Sequence, residues 1–384
     1  MTVQPFEINI EPAVLADLRN RLRGTRSPDE IDSAGWDYGM NGSVLRSFVH
    51  TWAEEFDWPA QQIRLNQYPH LRVDLDGLGV HALHARAVDG AGLPLVLLHG
   101  WPSSFVQMLP IVPLLTTGAD PFDVVVISLP SYGFSDRPRQ RGMDLTRIAE
   151  IVVEVMDRLG YSRFGARGSD LGAGVLQQLA LNHPDRLIAL HLSGTNPYLG
   201  WIPDDLSPAE QQFVTNAQQW NQTEMAYALE HSSKPQTLAH ALNDSPAGLA
   251  AWILEKFHRW SDCHGDLDSV YDRDDLLTTS PSTGPHARSA PPCASITKPS
   301  TAPPPATAAS RSPRAWPCPA PTCSPRHGNG SNGSTTSSTG PTSPKAAISS
   351  NGKSPTSSPT TYAASSTPTD TTQEASGSNA AHPS

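Results

Sequence analysis

Cysteine, charge and long apolar runs are all scarce in this 384-residue sequence. Only 4 Cys occur; Cys263 stands alone before residue 280, and Cys293, Cys318 and Cys323 follow without metal-type spacing. That excludes a disulfide framework and a cysteine-built metal centre, and a reducing, cytoplasmic setting is expected. No run of 18 apolar residues exists, so no membrane-spanning helix is expected. Met1 to Pro12 carries acids and no apolar stretch, unlike a signal peptide. Charged residues are 17% of the chain, and acids lead, for a net charge of −10. A chain short of basic residues is a poor nucleic-acid binder, because phosphates need a basic face.

The scarcity has a boundary near Thr279. Residues 280–384 contain no Leu, Val, Phe or Met, but 19 Pro and 39 Ser/Thr. Such a segment cannot bury enough apolar surface to offset its ordering entropy, so a disordered Pro/Ser/Thr-rich tail is expected over 280–384. It holds 7 Lys/Arg against 2 Asp/Glu, whereas residues 1–279 hold 20 against 35. The front section has the periodic apolar residues that build a core.

In that section Val14, Leu15, Leu18 and Leu22 repeat at helical spacing, with Pro12 in the first turn and Gly24 as a stop. Val44 to Phe56 reads as a second helix and Val80 to His84 as a short strand. An alternation follows. Leu95–Leu98, Val124–Ile127, Phe164–Arg167 and Leu187–Leu192 read as strands. Leu145 to Leu159 and Val175 to Leu181 read as helices between them. Alternating strands and helices predict an α/β fold with a mostly parallel sheet. Residues 201–260 read as a mainly helical insertion.

Two loops carry candidate chemistry. Gly168-Ser169-Asp170-Leu171-Gly172 lies between a strand and a helix. Small residues around a central nucleophile permit a strained turn that lifts one side chain above the sheet. Asp170 occupies the centre, and a carboxylate there forms an ester with an electrophilic carbon that water can cleave. The Leu171 N–H, at the helix start, would face the ester oxygen. An ordinary turn with Asp170 as a helix N-cap fits the pentapeptide equally well. His99-Gly100-Trp101-Pro102 follows the first core strand and offers the Trp101 N–H as a second oxyanion donor.

With these motifs the chain resembles the epoxide hydrolases of the α/β-hydrolase fold, in the branch with an N-terminal extension. The resemblance spans about residues 3–278. It rests on Trp58 to Asn66, His99 to Ser104, Leu129 to Asp136, Gly168 to Gly172, Met225 to His231 and Ala241 to Trp260. It implies an N-terminal segment over 1–88, a core over 89–200, a helical lid over 201–262 and a return towards the core over 263–279. It implies Asp170 as nucleophile, Tyr227 as a lid proton donor, and oxyanion N–H groups from Trp101 and Leu171. The implied reaction turns a small-molecule epoxide plus water into a vicinal diol without metal or organic cofactor, with a homo-oligomer possible. His231 and His258 are expected to be packing or lid-surface residues. Glu255 and Lys256 are expected on a solvated helix face, and Trp201, Phe213 and Trp220 hint at an apolar pocket.

The resemblance also implies a His base, its acid partner and a second lid tyrosine beyond Asp274–Leu277, and no matching motif follows there. Read one base out of frame, the stretches Thr283–Lys298 and Pro341–Ser349 spell family-like sequence in the right order. A frameshifted C-terminal part, and impaired turnover, are therefore expected. Two other readings share the elbow: a haloalkane-dehalogenase-like hydrolase, disfavoured by Tyr227, and a non-catalytic binding protein on the same scaffold.

Overall fold

The computed structural model describes residues 2–88, 90, 92–194 and 202–279. The tail expected over 280–384 lies outside the described residues, as does Trp201. Strand β1 (Val3–Pro5) leads into helix α1 (Pro12–Arg23), which ends at Gly24 as the spacing predicts. Helix α2 (Gly42–His50) is capped by the Asn41 side chain, which accepts from the Ser43 and Val44 N–H groups. It runs on through one wider turn, Thr51–Glu55, to close the segment read as the second helix. Asp57 caps α3 (Trp58–Leu65) in the same way.

The sheet contains β2 (His70–Leu75), β3 (Leu78–Ala85), β4 (Leu93–Leu98), β5 (Phe122–Ile127), β6 (Phe164–Ser169) and β7 (Leu187–Ser193). Helix α4 (Val112–Thr116) precedes β5, α5 (Leu145–Arg158) precedes β6, and α6 (Leu171–Asn182) precedes β7. The strand order is β1-β2-β3-β5-β4-β6-β7. Pairings among β5, β4, β6 and β7 are parallel, while β1, β2 and β3 pair antiparallel up to β5. The sheet is therefore mixed rather than mostly parallel. The hairpin β2–β3 adds antiparallel strands that the front-section reading undercounts.

Period-two geometry explains why the central runs Leu95–Leu98 and Val124–Ile127 are apolar throughout. Val124 and Val126 pack into one core, with Leu97, Phe105 and the N-terminal helices. Val125 and Ile127 pack into the other, with Val96, Leu98, α5 and α6. A strand buried on both faces has no polar side to show.

Beyond β7 the described residues form the helices α7 (Pro208–Glu224), α8 (Ala226–Ser233), α9 (Pro235–Asp244) and α10 (Pro246–Trp260). Ser207 and Glu210 form a reciprocal capping box at the start of α7, and Ser245 caps α10. A last helix, α11 (Arg273–Thr279), returns to the N-terminal segment, where Arg64 pairs with Asp275 at 2.5 Å.

Candidate active site

The chain leaves β4 towards β5 on one side and reaches β6 on the other, so the carboxyl end of β4 is a topological switch point. Leu98 pairs directly with Gly168 across β4 and β6. The loop after β4 and the turn after β6 are thereby brought together.

Asp170 sits at φ 53° and ψ −120°, a conformation non-glycine residues rarely adopt. Its side chain makes no N-cap bond to α6, which removes the capping alternative. Instead Oδ1 accepts the Trp101 N–H at 2.9 Å, and the Leu171 N–H donates to the same carboxyl. Burial raises the carboxyl above its ordinary value, and the two backbone donors pull the other way. The net direction is upward, so burial wins.

Three glycines make this turn possible. A Cβ on Gly100 would lie 2.5 Å from the Asp170 Cβ and 2.6 Å from its Oδ1. One on Gly168 would meet the Gly172 backbone at 2.7 Å, and one on Gly172 would meet the Leu98 carbonyl oxygen at 2.6 Å. The two elbow glycines let strand, turn and helix close on one another, and Gly100 lets the neighbouring loop reach the carboxylate.

The loop itself is latched from behind. The Leu129 N–H donates to His99 Nε2 at 3.2 Å, so the proton of the neutral ring is on Nδ1, which faces the Gly100 carbonyl oxygen at 3.1 Å. Burial takes this ring down to about 4. His99 thus ties the His99–Pro102 loop to Leu129–Asp136 through a neutral ring.

The helical insertion covers the same place. Tyr227 on α8 stacks on the Trp101 indole, with centroids 4.6 Å apart and planes 11° apart. Trp260 packs against both rings, at 5.9 Å from Trp101 and 5.1 Å from Tyr227. Buried Glu224 accepts from Trp260 Nε1 at 3.0 Å and from Arg259 Nε at 2.8 Å, fixing the indole.

Some expected surroundings differ. Glu255 and Lys256 are not a solvated face: their side chains are only 21% and 13% exposed, and they pair at 2.6 Å. The Lys256 ammonium lies 5.8 Å from the Tyr227 ring and 5.6 Å from Trp260, because α10 turns this edge towards α8. Phe213 is exposed rather than pocket-lining, while Trp220 does reach Trp260 at 5.6 Å. His258 stacks on Trp36 at 3.7 Å, and His231 is buried against Trp101 and Tyr227. Glu224 carries site geometry that no motif singled out, and Gly100 and Trp260 lie in quoted motifs without a role of their own; the long-range contacts reveal what each does.

Comparison with known proteins places the chain in a family. Residues 3–108 match the family described as epoxide hydrolase N terminus, and residues 94–256 match the alpha/beta hydrolase fold. The chain is 31% identical over 317 residues to epoxide hydrolase 1 of Oryctolagus cuniculus, covering 72% of this chain and 68% of that one. It belongs to the epoxide hydrolase family. It is also 41% identical over 283 residues to a protein of Stigmatella aurantiaca named "Putative epoxide hydrolase", covering 72% of this chain and 64% of that one. Juvenile hormone epoxide hydrolase 1 of Ctenocephalides felis is matched over 61% of its length, so the chain spans under two-thirds of these two relatives. The structure of Aspergillus niger epoxide hydrolase superposes with a TM-score of 0.64 at 30% identity, covering 75% of this chain and 78% of that one. No described helix is long and apolar enough to cross a membrane.

Proposed function

We propose that this epoxide hydrolase family member performs the ester-forming half of epoxide hydrolysis on a small-molecule epoxide, with Asp170 as nucleophile. With Oδ1 held by the Trp101 N–H, Oδ2 is the attacking atom. It forms an ester bond to one ring carbon as the carbon–oxygen bond breaks, and the Tyr227 O–H passes its proton to the leaving alkoxide. The Trp101 and Leu171 donors then face the ester carbonyl oxygen, ready for the charge that water attack develops. Helices over 208–260 act as the lid. The setting proposed is cytoplasmic, and the reaction as written calls for no cofactor.

Asp170 carries the reading: a strained residue that does not cap α6 and whose carboxylate meets a neighbouring loop's N–H at 2.9 Å. Among the described residues no histidine ring hydrogen-bonds that carboxylate. The ester is therefore expected to accumulate. The frame-slip reading of residues 280–384 is tested by resequencing the gene across codons 270–300, where an unbroken frame would refute it.

Intact mass spectrometry after incubation with styrene oxide tests the activity. A single added mass mapping to the Asp170 peptide, absent in Asp170→Asn, is expected. Labelling that survives Asp170→Asn, or no label at all, would overturn the assignment.

A further inference from the structure

His231 stands out among the groups the proposed chemistry leaves unused. It is buried, one helical turn after Tyr227 on α8, and its ring stands perpendicular to both Trp101 and Tyr227, with centroids 5.0 Å and 5.6 Å away. The Trp252 indole N–H approaches its Nε2 at 3.1 Å. An indole nitrogen only donates, so Nε2 must accept and the proton of the neutral ring must be on Nδ1. Burial takes the ring down to about 4, which keeps it neutral at physiological pH. Nδ1 is itself buried and has no hydrogen-bond partner among the described residues.

A buried N–H without an acceptor is costly, and native structures rarely keep one without a use. This one borders the two aromatic rings that join the Asp170 loop to the lid. We propose that the His231 Nδ1–H is a specificity-determining donor that recognises a second oxygen on the substrate, an ether or carbonyl acceptor beside the epoxide ring. The proposal rests on the hydrolase reading for the substrate's position, and it narrows the substrate to oxygen-bearing epoxides over plain hydrocarbon ones. Trp252 is then a positioning residue, because its N–H selects the tautomer. A hydrocarbon epoxide leaves the donor unpaired; an oxygenated one satisfies it.

The test is equilibrium binding to the full chain carrying Asp170→Asn, which removes the nucleophile. The probes are phenyl glycidyl ether and its carbon analogue, in which CH2 replaces the ether oxygen. The ether is expected to bind about tenfold more tightly, the scale of one buried hydrogen bond. Adding His231→Phe should bring the ratio towards one, and His231→Gln, which retains an N–H donor, should keep part of it. Trp252→Phe leaves His231 in place but frees its tautomer, so it should also erode the ratio, and it serves as the second variant if His231→Phe fails to fold. A structural role alone would weaken both probes equally and leave the ratio intact. Equal affinities before His231 is changed, or a ratio that survives both His231→Phe and Trp252→Phe, would overturn the proposal. The hydrolase reading fails separately: it falls if neither epoxide esterifies Asp170 in the unmodified chain, whatever the binding ratio.

Discussion

At Asp170 the proposed chemistry rests on the backbone itself. Left-handed conformations of non-glycine residues cost on the order of 1–3 kcal/mol and persist where the surroundings enforce them. Here the enforcement comes from Gly168 and Gly172, whose missing side chains let β6 and α6 close tightly, and from Gly100, whose missing side chain admits the carboxylate. Gly100→Ala pushes a methyl into the Asp170 side chain, and a displacement near 1 Å at a reacting group costs about 100-fold in rate. Ester formation with styrene oxide, followed by mass spectrometry, should slow by that order while the fold survives. Asp170→Asn should act oppositely on stability, because it removes a carboxylate that burial disfavours. A gain of roughly 0.5–2 kcal/mol in a denaturant titration is expected, together with complete loss of the ester. The pentapeptide around Asp170 is legible in the sequence, because its small residues are local to the turn. Gly100 is not, because its reason for being glycine lies 70 positions away in the chain.

Helices and strands were legible where their faces meet a single environment. The α5 stripe of Ile148, Val152 and Val155 lies wholly in one core, so its period is clean and its end at Gly160 is sharp. Strand β2 carries an equally clear signal, with Leu71, Val73 and Leu75 alternating with His70, Arg72 and Asp74, although the expected strands start only at Val80. The helices over 208–260 were legible as helix but not as surface. An amphipathic pattern tells which face is buried and not what covers it, so Glu255 and Lys256 read as solvated although both are largely buried and Lys256 meets the Tyr227 ring of α8. The same limit hid Glu224. Its carboxylate is buried while its partner Arg259 is largely exposed, so solvent screens the pair and the indole bond carries much of its worth. Glu224→Ala is expected to cost about 1–2 kcal/mol in a thermal or denaturant melt, chiefly by leaving the Trp260 N–H unpaired. It should also loosen Trp260 from Tyr227, visible as a shift in tryptophan fluorescence, whereas Glu224→Gln keeps an acceptor and should retain most of both.

Across the molecule, buried histidines set the response to acid. The Leu65 carbonyl oxygen accepts from His70 Nε2 at 2.8 Å, which leaves His70 Nδ1 as the acceptor for His81 Nε2–H at 3.0 Å. His81 Nδ1 then accepts the Ser128 hydroxyl at 2.8 Å, so one line of neutral donors runs from the sheet to α3. Phe6, Phe105 and Phe134 surround His81 edge-on and keep water out. Burial lowers His70 and puts His81 well below its ordinary value, while His99 and His231 are each lowered to about 4. In the unfolded chain all four take a proton near pH 6.5. Between that pH and the folded values the unfolded state binds more protons, so stability falls as pH falls. For His99 and His231 the loss reaches up to about 1.4 kcal/mol per ring for each pH unit between 6.5 and 4. Asp170 and Asp274, raised by burial, oppose this only at the acid end, where the folded chain takes up their protons first. The expected profile is a plateau above pH 7 and a steep decline from pH 6.5 towards 4.5 in urea midpoints followed by circular dichroism. His81→Gln should lower the plateau, because Gln fills the site imperfectly, and should flatten the decline. A profile that stays level from pH 7 to pH 5 would show that these rings are already charged in the folded protein, and the neutral line from Ser128 to Leu65 would have to be abandoned.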